Sequence, residues 1–261
     1  MDYGSRGCII INKTRKILSR CLLIVSLLAF LICGIYLAFY YYQAWEYNRL
    51  ADEVSVSSDT KPQEVKVDVP VNFKKLKKAN PDIYAWINIP NANVDYPILQ
   101  SDKSNTYYLN HTINGKWSAY GSIYTEDYNK KDFSDFNTLI YGHNMKNGTM
   151  FGSLKKFRDA SFFKKNRYIN IYLENRILKY EIFAACTWDN KHILASRNFD
   201  LPENRNAYIE EMFAVRDMNS QIKKDIKVTP NDKIITLSTC MNNKQKRFLV
   251  SGVLVYDSQN P

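Results

Sequence analysis

The longest apolar run of the chain lies near its N-terminus. Residues 21–42 contain no charged side chain, and a helix needs about 20 apolar residues to cross a bilayer. The run exceeds the apolar core of a usual signal peptide, and no small-residue cleavage pattern closes it. Three tyrosines at 40–42, with Trp45, resemble an interfacial aromatic belt. The pattern therefore favours an uncleaved transmembrane anchor over a signal peptide.

The segments on either side of this run differ in charge. Four cations precede it closely: Lys13, Arg15, Lys16 and Arg20. The positive-inside rule then keeps residues 1–20 in the cytoplasm and places the rest of the chain outside the membrane. Residues 43–70 are polar and lack sustained periodicity. We expect a stalk there, followed by an extracytoplasmic domain of residues 71–261.

Beyond this stalk, the apolar positions fall into short runs typical of strands. Eight strands in about 190 residues indicate a mainly β barrel or sandwich. The runs are Ala85–Ile89, Val94–Leu99, Gly121–Tyr124, Thr138–Tyr141, Tyr168–Leu173, Leu178–Cys186, Lys233–Thr239 and Arg247–Tyr256.

Two stretches depart from the strand-like pattern. Asn72 suits the N-cap of a short helix, residues 73–79, which the Asn-Pro pair at 80–81 ends. Residues 202–218 begin with a proline, which suits a first helical turn, and carry apolar side chains at helical spacing. The sequence therefore predicts an N-terminal helix and a longer helix inserted between strands.

Composition indicates one folded domain with no internal repeat. The chain is 45% hydrophobic and 14% aromatic, with only nine glycines and eight prolines. Of its net charge of +10, part comes from residues 1–20, and the rest is a diffuse excess over residues 43–261. A diffuse excess suits attraction to an anionic surface such as a cell wall. No basic stripe interleaved with aromatics is present, so we expect no nucleic-acid partner.

Cysteine usage and absent motifs exclude several classes of protein. Three of the five cysteines lie in or before the apolar run, which leaves Cys186 and Cys240. That pair is no disulfide framework, although a single bridge between them is an alternative. No HxxxH, HExxH or CxxC spacing occurs, so we expect no metal and no cofactor. GxGxxG, GxxxxGK[ST] and GxSxG are also absent, which argues against nucleotide enzymes and serine hydrolases.

The candidate chemistry centres on Cys240. Residues 234–239 form an apolar run that delivers this thiol at a strand end, and polar residues 241–244 then break the run. Arg247 heads the next apolar run, so a short turn would return the chain antiparallel with the arginine beside the cysteine. A neighbouring guanidinium favours the reactive thiolate. The alternatives are an inert buried cysteine and an ordinary solvated arginine.

A cysteine nucleophile also needs an imidazole as base or as cationic partner. His143 follows a strand-like run in the sequence Tyr-Gly-His-Asn, where Gly142 allows a sharp exit into a loop. The chain has two other histidines, His111 and His192, which compete with His143 for this role.

Together these stretches resemble the sortase family, and within it class B. The resemblance covers residues from about Phe73 to Tyr256 and implies an eight-stranded sortase-type β-barrel with short helices. An N-terminal helix and a longer helix between strands six and seven belong to that fold. The most specific motifs are Thr236-Leu-Ser-Thr-Cys240 followed by Arg247, and Leu139-Ile-Tyr-Gly-His-Asn-Met145 followed by Gly148-Thr-Met-Phe151. Asn80-Pro-Asp-Ile-Tyr-Ala-Trp86 and Asp95-Tyr-Pro97 resemble the early strands.

The resemblance also implies roles for individual residues. Cys240 would be the nucleophile, His143 its partner and Arg247 the residue that stabilises the oxyanion and the substrate backbone. Six residues separate Cys240 from Arg247, whereas some class B members have a longer insert there. Four further positions resemble the substrate groove, with ordinary barrel-wall packing as the alternative: Asn105, Leu109, Ile193 and Ser238.

The function implied by the resemblance is transpeptidation. Cys240 would cleave a C-terminal sorting signal of surface proteins, similar to Asn-Pro-x-Thr followed by Asn or Gly, after the Thr. The resulting thioester would pass to the amine of a peptidoglycan precursor of the lipid II type. The alternatives are a secreted cysteine peptidase or amidase that passes the thioester to water, and a surface-binding domain without chemistry.

Overall fold

A computed structural model describes residues 20, 22–42, 45, 49, 67–241 and 245–260. The predicted cytoplasmic N-terminus therefore lies, except for Arg20, outside the described residues. Most of the predicted stalk and the polar turn at 242–244 do so as well.

The first helix, α1, is Leu22–Tyr42. Its 21 residues give a length of about 31 Å, which matches the hydrocarbon thickness of a bilayer. The helix is long and apolar enough to cross a membrane and is compatible with a single-pass anchor.

The remaining described residues form a closed β-barrel. Eight strands are hydrogen-bonded in the order β5-β1-β2-β3-β4-β8-β9-β6, and pairing of β5 with β6 closes the ring. A ninth strand of two residues, β7, pairs with β6 only. The prediction of a mainly β, eight-stranded barrel is confirmed. The strands are β1 Ile83–Ile89, β2 Val94–Leu99, β3 Ile123–Tyr124, β4 Asn137–Tyr141, β5 Tyr168–Leu173, β6 Arg176–Asp189, β7 Gln221–Ile222, β8 Ile234–Cys240 and β9 Lys246–Asp257.

Short helices connect and cover these strands. The α-helices are α2 Phe73–Ala79, α3 Ala160–Lys165, α4 Ile193–Ser196 and α5 Pro202–Ala214, and two 3₁₀ segments are Tyr107–Leu109 and Gly152–Arg158. Helix α2 has the predicted bounds: the Asn72 side chain accepts from the Lys75 amide at 3.0 Å, a cap worth about 1 kcal/mol. Its Phe73 and Leu76 are buried. Helix α5 lies between the sixth and seventh barrel strands, as predicted.

Most predicted bounds lie within two residues of the observed ones, and two differ by more. Helix α5 ends at Ala214 rather than Met218, because Val215 adopts an extended conformation with φ −58° and ψ 131°. Strand β6 continues past Cys186 to Asp189, because β9 pairs with it as far as Lys246. The added residues carry the chain to the edge of the barrel where β9 begins.

Packing of helix α5 explains why β8 is buried on both of its faces. Successive side chains of a strand point to opposite faces, yet the first six residues of β8 are all buried. One face points into the barrel, and the other is covered by Tyr208, Ile209 and Met212 of α5, which share a core cluster with Ile234. At the end of the strand this cover stops, and Cys240 is exposed.

Candidate active site

Cys240 is the last residue of β8 and lies directly opposite Arg247 of β9. The antiparallel register pairs Cys240 with Arg247 and Ser238 with Leu249. The return of the chain that the sequence predicts is therefore present. Because the pair is held by the strand ladder, the sheet fixes the backbone of Arg247 opposite that of Cys240.

The parallel neighbour of β8 delivers His143 to the same edge. Strand β4 pairs with β8 in parallel, with Tyr141 opposite Ser238, and the Gly142 amide donates to the Ser238 carbonyl at 3.2 Å. A Cβ atom at Gly142 would lie 2.5 Å from Ile123 Cδ1 and 2.7 Å from the Phe151 ring, so glycine is required there. Because β4 and β8 are parallel, their C-terminal ends lie at the same edge of the sheet. His143 lies two residues after the end of β4, at that edge.

A side-chain contact joins the two strand ends. The Asn144 Nδ2 donates to the Cys240 carbonyl oxygen at 2.9 Å. This bond links the loop that contains His143 to the residue that bears the thiol. Asn144 was not singled out as a site residue from the sequence, although it belongs to the same Tyr-Gly-His-Asn motif.

The orientation of the His143 ring follows from its own hydrogen bond. Its Nε2 lies 2.6 Å from the Leu109 carbonyl oxygen. A carbonyl only accepts, so Nε2 must carry a hydrogen and donate it. The nitrogen left to exchange a proton with a reacting group is therefore Nδ1.

Two tyrosines lie beside the thiol and the guanidinium. The rings of Tyr124 and Tyr141 stack with centroids 5.4 Å apart. Burial, with the carboxylate of Glu126, raises the pKa of both phenols far above the usual value, and Arg247 opposes the shift. Cys240 also acts on Tyr124 electrostatically. Both phenols therefore remain neutral, with Arg247 close enough to act on both of them and Cys240 on Tyr124.

The four predicted groove residues occupy different environments. Ser238 is buried on the same face of β8 as Cys240, and Leu109 is exposed beside His143. Asn105 exchanges two hydrogen bonds with Asp127, at 2.6 and 2.8 Å. Ile193 is only 5% exposed and packs in the core cluster with Leu139. Packing is thus the main observed environment of Ile193, while Ser238 and Leu109 lie beside the strand ends.

The two other histidines are engaged elsewhere. His111 Nδ1 lies 2.8 Å from the Tyr107 carbonyl, and its ring stacks on Tyr107 with centroids 4.1 Å apart. His192 Nε2 lies 2.6 Å from Glu126 Oε2. His143 is the histidine whose loop contacts Cys240.

Cys186 and Cys240 are both free thiols, so the alternative of a bridge between them does not describe this structure. Cys186 is fully buried opposite Leu249, and burial raises its pKa to about 12. It is therefore protonated and inaccessible, whereas Cys240 is exposed. Within the described ranges, no group of three or more His, Cys, Asp or Glu residues could hold a metal ion.

Comparison with known proteins identifies the class. The family model described as the sortase domain matches residues 87–255, and the chain therefore belongs to the sortase family. Sortases are cysteine transpeptidases that act on surface proteins with a sorting signal and on cell-wall precursors.

The individual relatives are class B enzymes. Sortase B of Listeria monocytogenes is 31% identical over 93% of this chain and 99% of its own length. Sortase B of Staphylococcus aureus is 30% identical over 70% and 74%. The crystal structure of sortase B from B. anthracis has a TM-score of 0.68 at 31% identity and covers 83% of this chain and 97% of its own. The resemblance to class B and the prediction of a cysteine transpeptidase are confirmed.

Proposed function

We propose that this transpeptidase cleaves a sorting signal similar to Asn-Pro-x-Thr followed by Asn or Gly, and joins the Thr to an amine of a lipid II-type peptidoglycan precursor. The observation that carries the proposal is the meeting of Cys240, Arg247 and the His143 loop at one edge of the barrel. These three residues supply a nucleophile, an oxyanion donor and a proton carrier.

In the first half of the reaction, the Cys240 thiolate attacks the Thr carbonyl carbon and a C–S bond forms. The carbonyl oxygen becomes an oxyanion, which Arg247 and nearby backbone amides stabilise. The imidazolium of His143 keeps its Nε2 hydrogen on the Leu109 carbonyl and gives the Nδ1 proton to the leaving amine. The C–N bond breaks, and a thioester remains on Cys240.

The second half reverses the proton transfers. Neutral His143 accepts a proton at Nδ1 from the incoming precursor amine, whose nitrogen attacks the thioester carbon. The C–S bond then breaks and the Cys240 thiolate is restored. The product is a surface protein joined to the precursor through a new amide bond, so no net oxidation or reduction occurs.

The groove for the extended peptide would run past Ser238 and Leu109, which lie next to Cys240 and His143. Asn105 and Ile193 would act further along it through the loops that they anchor. Helix α1 would place the enzyme in the cell membrane as a single-pass protein, with residues 1–20 cytoplasmic and the barrel outside. The anchor would tether the enzyme to the membrane that holds a lipid-linked precursor.

The test uses the full-length protein in detergent with a library of sorting peptides and a wall-peptide amine. Intact-mass measurement should find an acyl adduct on the protein and an amide product with the amine, and both should be absent from Cys240→Ala. Acid product alone, even at high amine concentration, would favour a peptidase or amidase. No adduct, together with no labelling of Cys240 by a mild thiol reagent, would favour a domain without chemistry.

A further inference from the structure

His192 and Glu126 form a contact that the proposed reaction does not use. His192 opens the segment of residues 192–201, here called the α4 segment, which contains Ile193 and leads into α5. Glu126 follows β3, and only 8% of its side chain is exposed. A buried carboxylate needs hydrogen-bond donors, because an unpaired charge inside a protein is costly.

The protonation pattern of His192 follows from its two contacts. The Ala195 backbone amide donates to Nδ1 at 3.1 Å, so Nδ1 holds no hydrogen. The hydrogen of the neutral ring is then on Nε2, which donates to Glu126 Oε2 at 2.6 Å. His192 thus caps the first turn of α4 with one nitrogen and binds the barrel with the other.

Glu126 receives a second donor from the active-site strand. The Tyr141 hydroxyl donates to the same oxygen, Oε2, at 3.1 Å. Tyr141 is opposite Ser238 and two residues before His143. Because both donors converge on one carboxylate oxygen, Glu126 connects the α4 segment directly to the strand that leads to His143.

Two tyrosine rings lie beside this contact. The His192 ring lies 5.2 Å from the Tyr128 ring and 6.3 Å from the Tyr141 ring, measured between centroids. The rest of the α4 segment is bound differently: Arg197 pairs with Glu211 of α5, and Phe199 contacts Tyr208. The N-terminal end of the segment is therefore bound to the barrel by the packing of Ile193 and by the polar contact of His192.

We propose that His192 is a positioning residue for peptide recognition: through Glu126 it fixes the α4 segment beside Tyr141 and so sets one wall of the groove that leads to Cys240. His192 takes no part in proton transfer to the substrate. The inference rests on the proposed function, because it assumes an extended peptide in that groove.

The kinetic test measures kcat and KM for a sorting peptide with the full-length protein in detergent. His192→Ala should raise KM about tenfold or more, the scale of one lost hydrogen bond to a charged group, while kcat changes less than about threefold. Glu126→Ala, which leaves no acceptor for the His192 Nε2 hydrogen, should also raise KM. The double variant should be no worse than Glu126→Ala, because that change already removes the contact that His192→Ala breaks.

Two further variants separate positioning from general loosening. His192→Gln can place an amide donor near the Nε2 position and should bring KM back towards the parental value. Arg197→Ala breaks the ion pair of the same segment with α5 and should leave KM close to the parental value. A parental KM in His192→Ala, a fall in kcat alone, or an equal rise of KM in Arg197→Ala would each overturn the proposal.

A readout without substrate keeps this inference separable from the proposed reaction. Hydrogen exchange of the amides of residues 192–196 should be faster in Glu126→Ala than in the parent, although the Nδ1 cap of His192 is intact there. Unchanged exchange would overturn the positioning role even if the parent cleaves the peptide. If the exchange rates of the parent and the variant differ but the parent cleaves no sorting peptide, the proposed substrate is refuted and the positioning role is not.

Discussion

Guanidinium groups lie at both ends of β9, one from β6 and one from β9 itself, in opposite situations. At the last residue of the strand, Arg176 donates to both oxygens of Asp257, at 2.8 and 2.6 Å, and both side chains are largely buried. At the start of the strand, Arg247 lies across from the exposed thiol of Cys240. One guanidinium balances a permanent charge and stabilises the fold. The other, in the proposed mechanism, meets a charge that exists only during the reaction.

The largest difference between the two ends of β9 is expected when His143, the proposed proton carrier near Arg247, is replaced. His143→Ala should lower peptide cleavage by about 10³-fold or more, because the leaving amine loses its acid, a contribution of about 10² to 10⁴. Its melting temperature should stay close to the parental value, since His143 is only partly buried. Steady-state cleavage and thermal melting measure both effects.

His111→Ala is the matched control, because His111 is also partly buried and also bound to a backbone carbonyl. Cleavage should be retained in this variant. Loss of cleavage in His111→Ala, with retention in His143→Ala, would show that His111 rather than His143 carries the proton.

Arg247→Lys tests whether charge alone is enough beside the thiol. Lysine keeps the positive charge but lacks the planar fork that can bind an oxyanion and a peptide carbonyl together. The rate should fall about 10²-fold, the scale of one lost oxyanion donor, with little change in stability. A rate equal to that of the parent would reduce the role of Arg247 to its charge.

The other end of β9 should respond to pH in stability. The hydrogen bonds from Arg176 lower the pKa of Asp257 to about 2 from its ordinary value of 3.8. Its folded pKa is the lower one, so the stabilisation is present above about pH 4 and is lost as the pH falls towards 2. Asp257→Asn should therefore cost about 2 kcal/mol near neutral pH and progressively less in acid.

Urea unfolding of the parent and of Asp257→Asn between pH 2 and pH 7 measures this difference. Asp225→Asn is the control, because that carboxylate is 76% exposed and should contribute little. A difference between parent and Asp257→Asn that does not shrink in acid would contradict the assignment.

The smallest effect is expected at the second thiol. Cys186→Ala leaves a small gap in the core and should cost about 1 kcal/mol with no change in kcat. Because burial raises the pKa of Cys186 to about 12, a mild thiol reagent should label Cys240 in the native protein and Cys186 only after unfolding. Equal labelling of both would mean that the core around Cys186 opens readily.

Local patterns were enough to predict the strands and the residues at their ends. The run from Ile234 to Cys240, a polar turn and Arg247 are contiguous in sequence, so a short hairpin sets their geometry. Helix α2 could also be predicted from local sequence, because its Asn72 cap and its buried positions lie within about one turn of each other.

Contacts between distant residues could not be predicted in this way. Asn144 meets the Cys240 carbonyl across 96 positions, and His192 meets Glu126 across 66. Such pairs depend on which strands become neighbours, and neither polar residue has a periodic pattern that points to its partner. The family resemblance gave Ile193 a groove position, whereas its nearly complete burial depends on the packing of α5.

The parallel pairing of β4 with β8 also has a consequence for the order of assembly. The two strands begin nearly 100 positions apart in the chain, at Asn137 and Ile234, and contacts so distant form slowly. Strand β9, which pairs with both β6 and β8, is the last of the described strands. Arg247 and its strand must therefore be synthesised before the thiol, the imidazole and the guanidinium can meet. In the proposed mechanism the enzyme becomes competent only when the hairpin of β8 and β9 docks, so a chain that stops before β9 has the cysteine without the arginine.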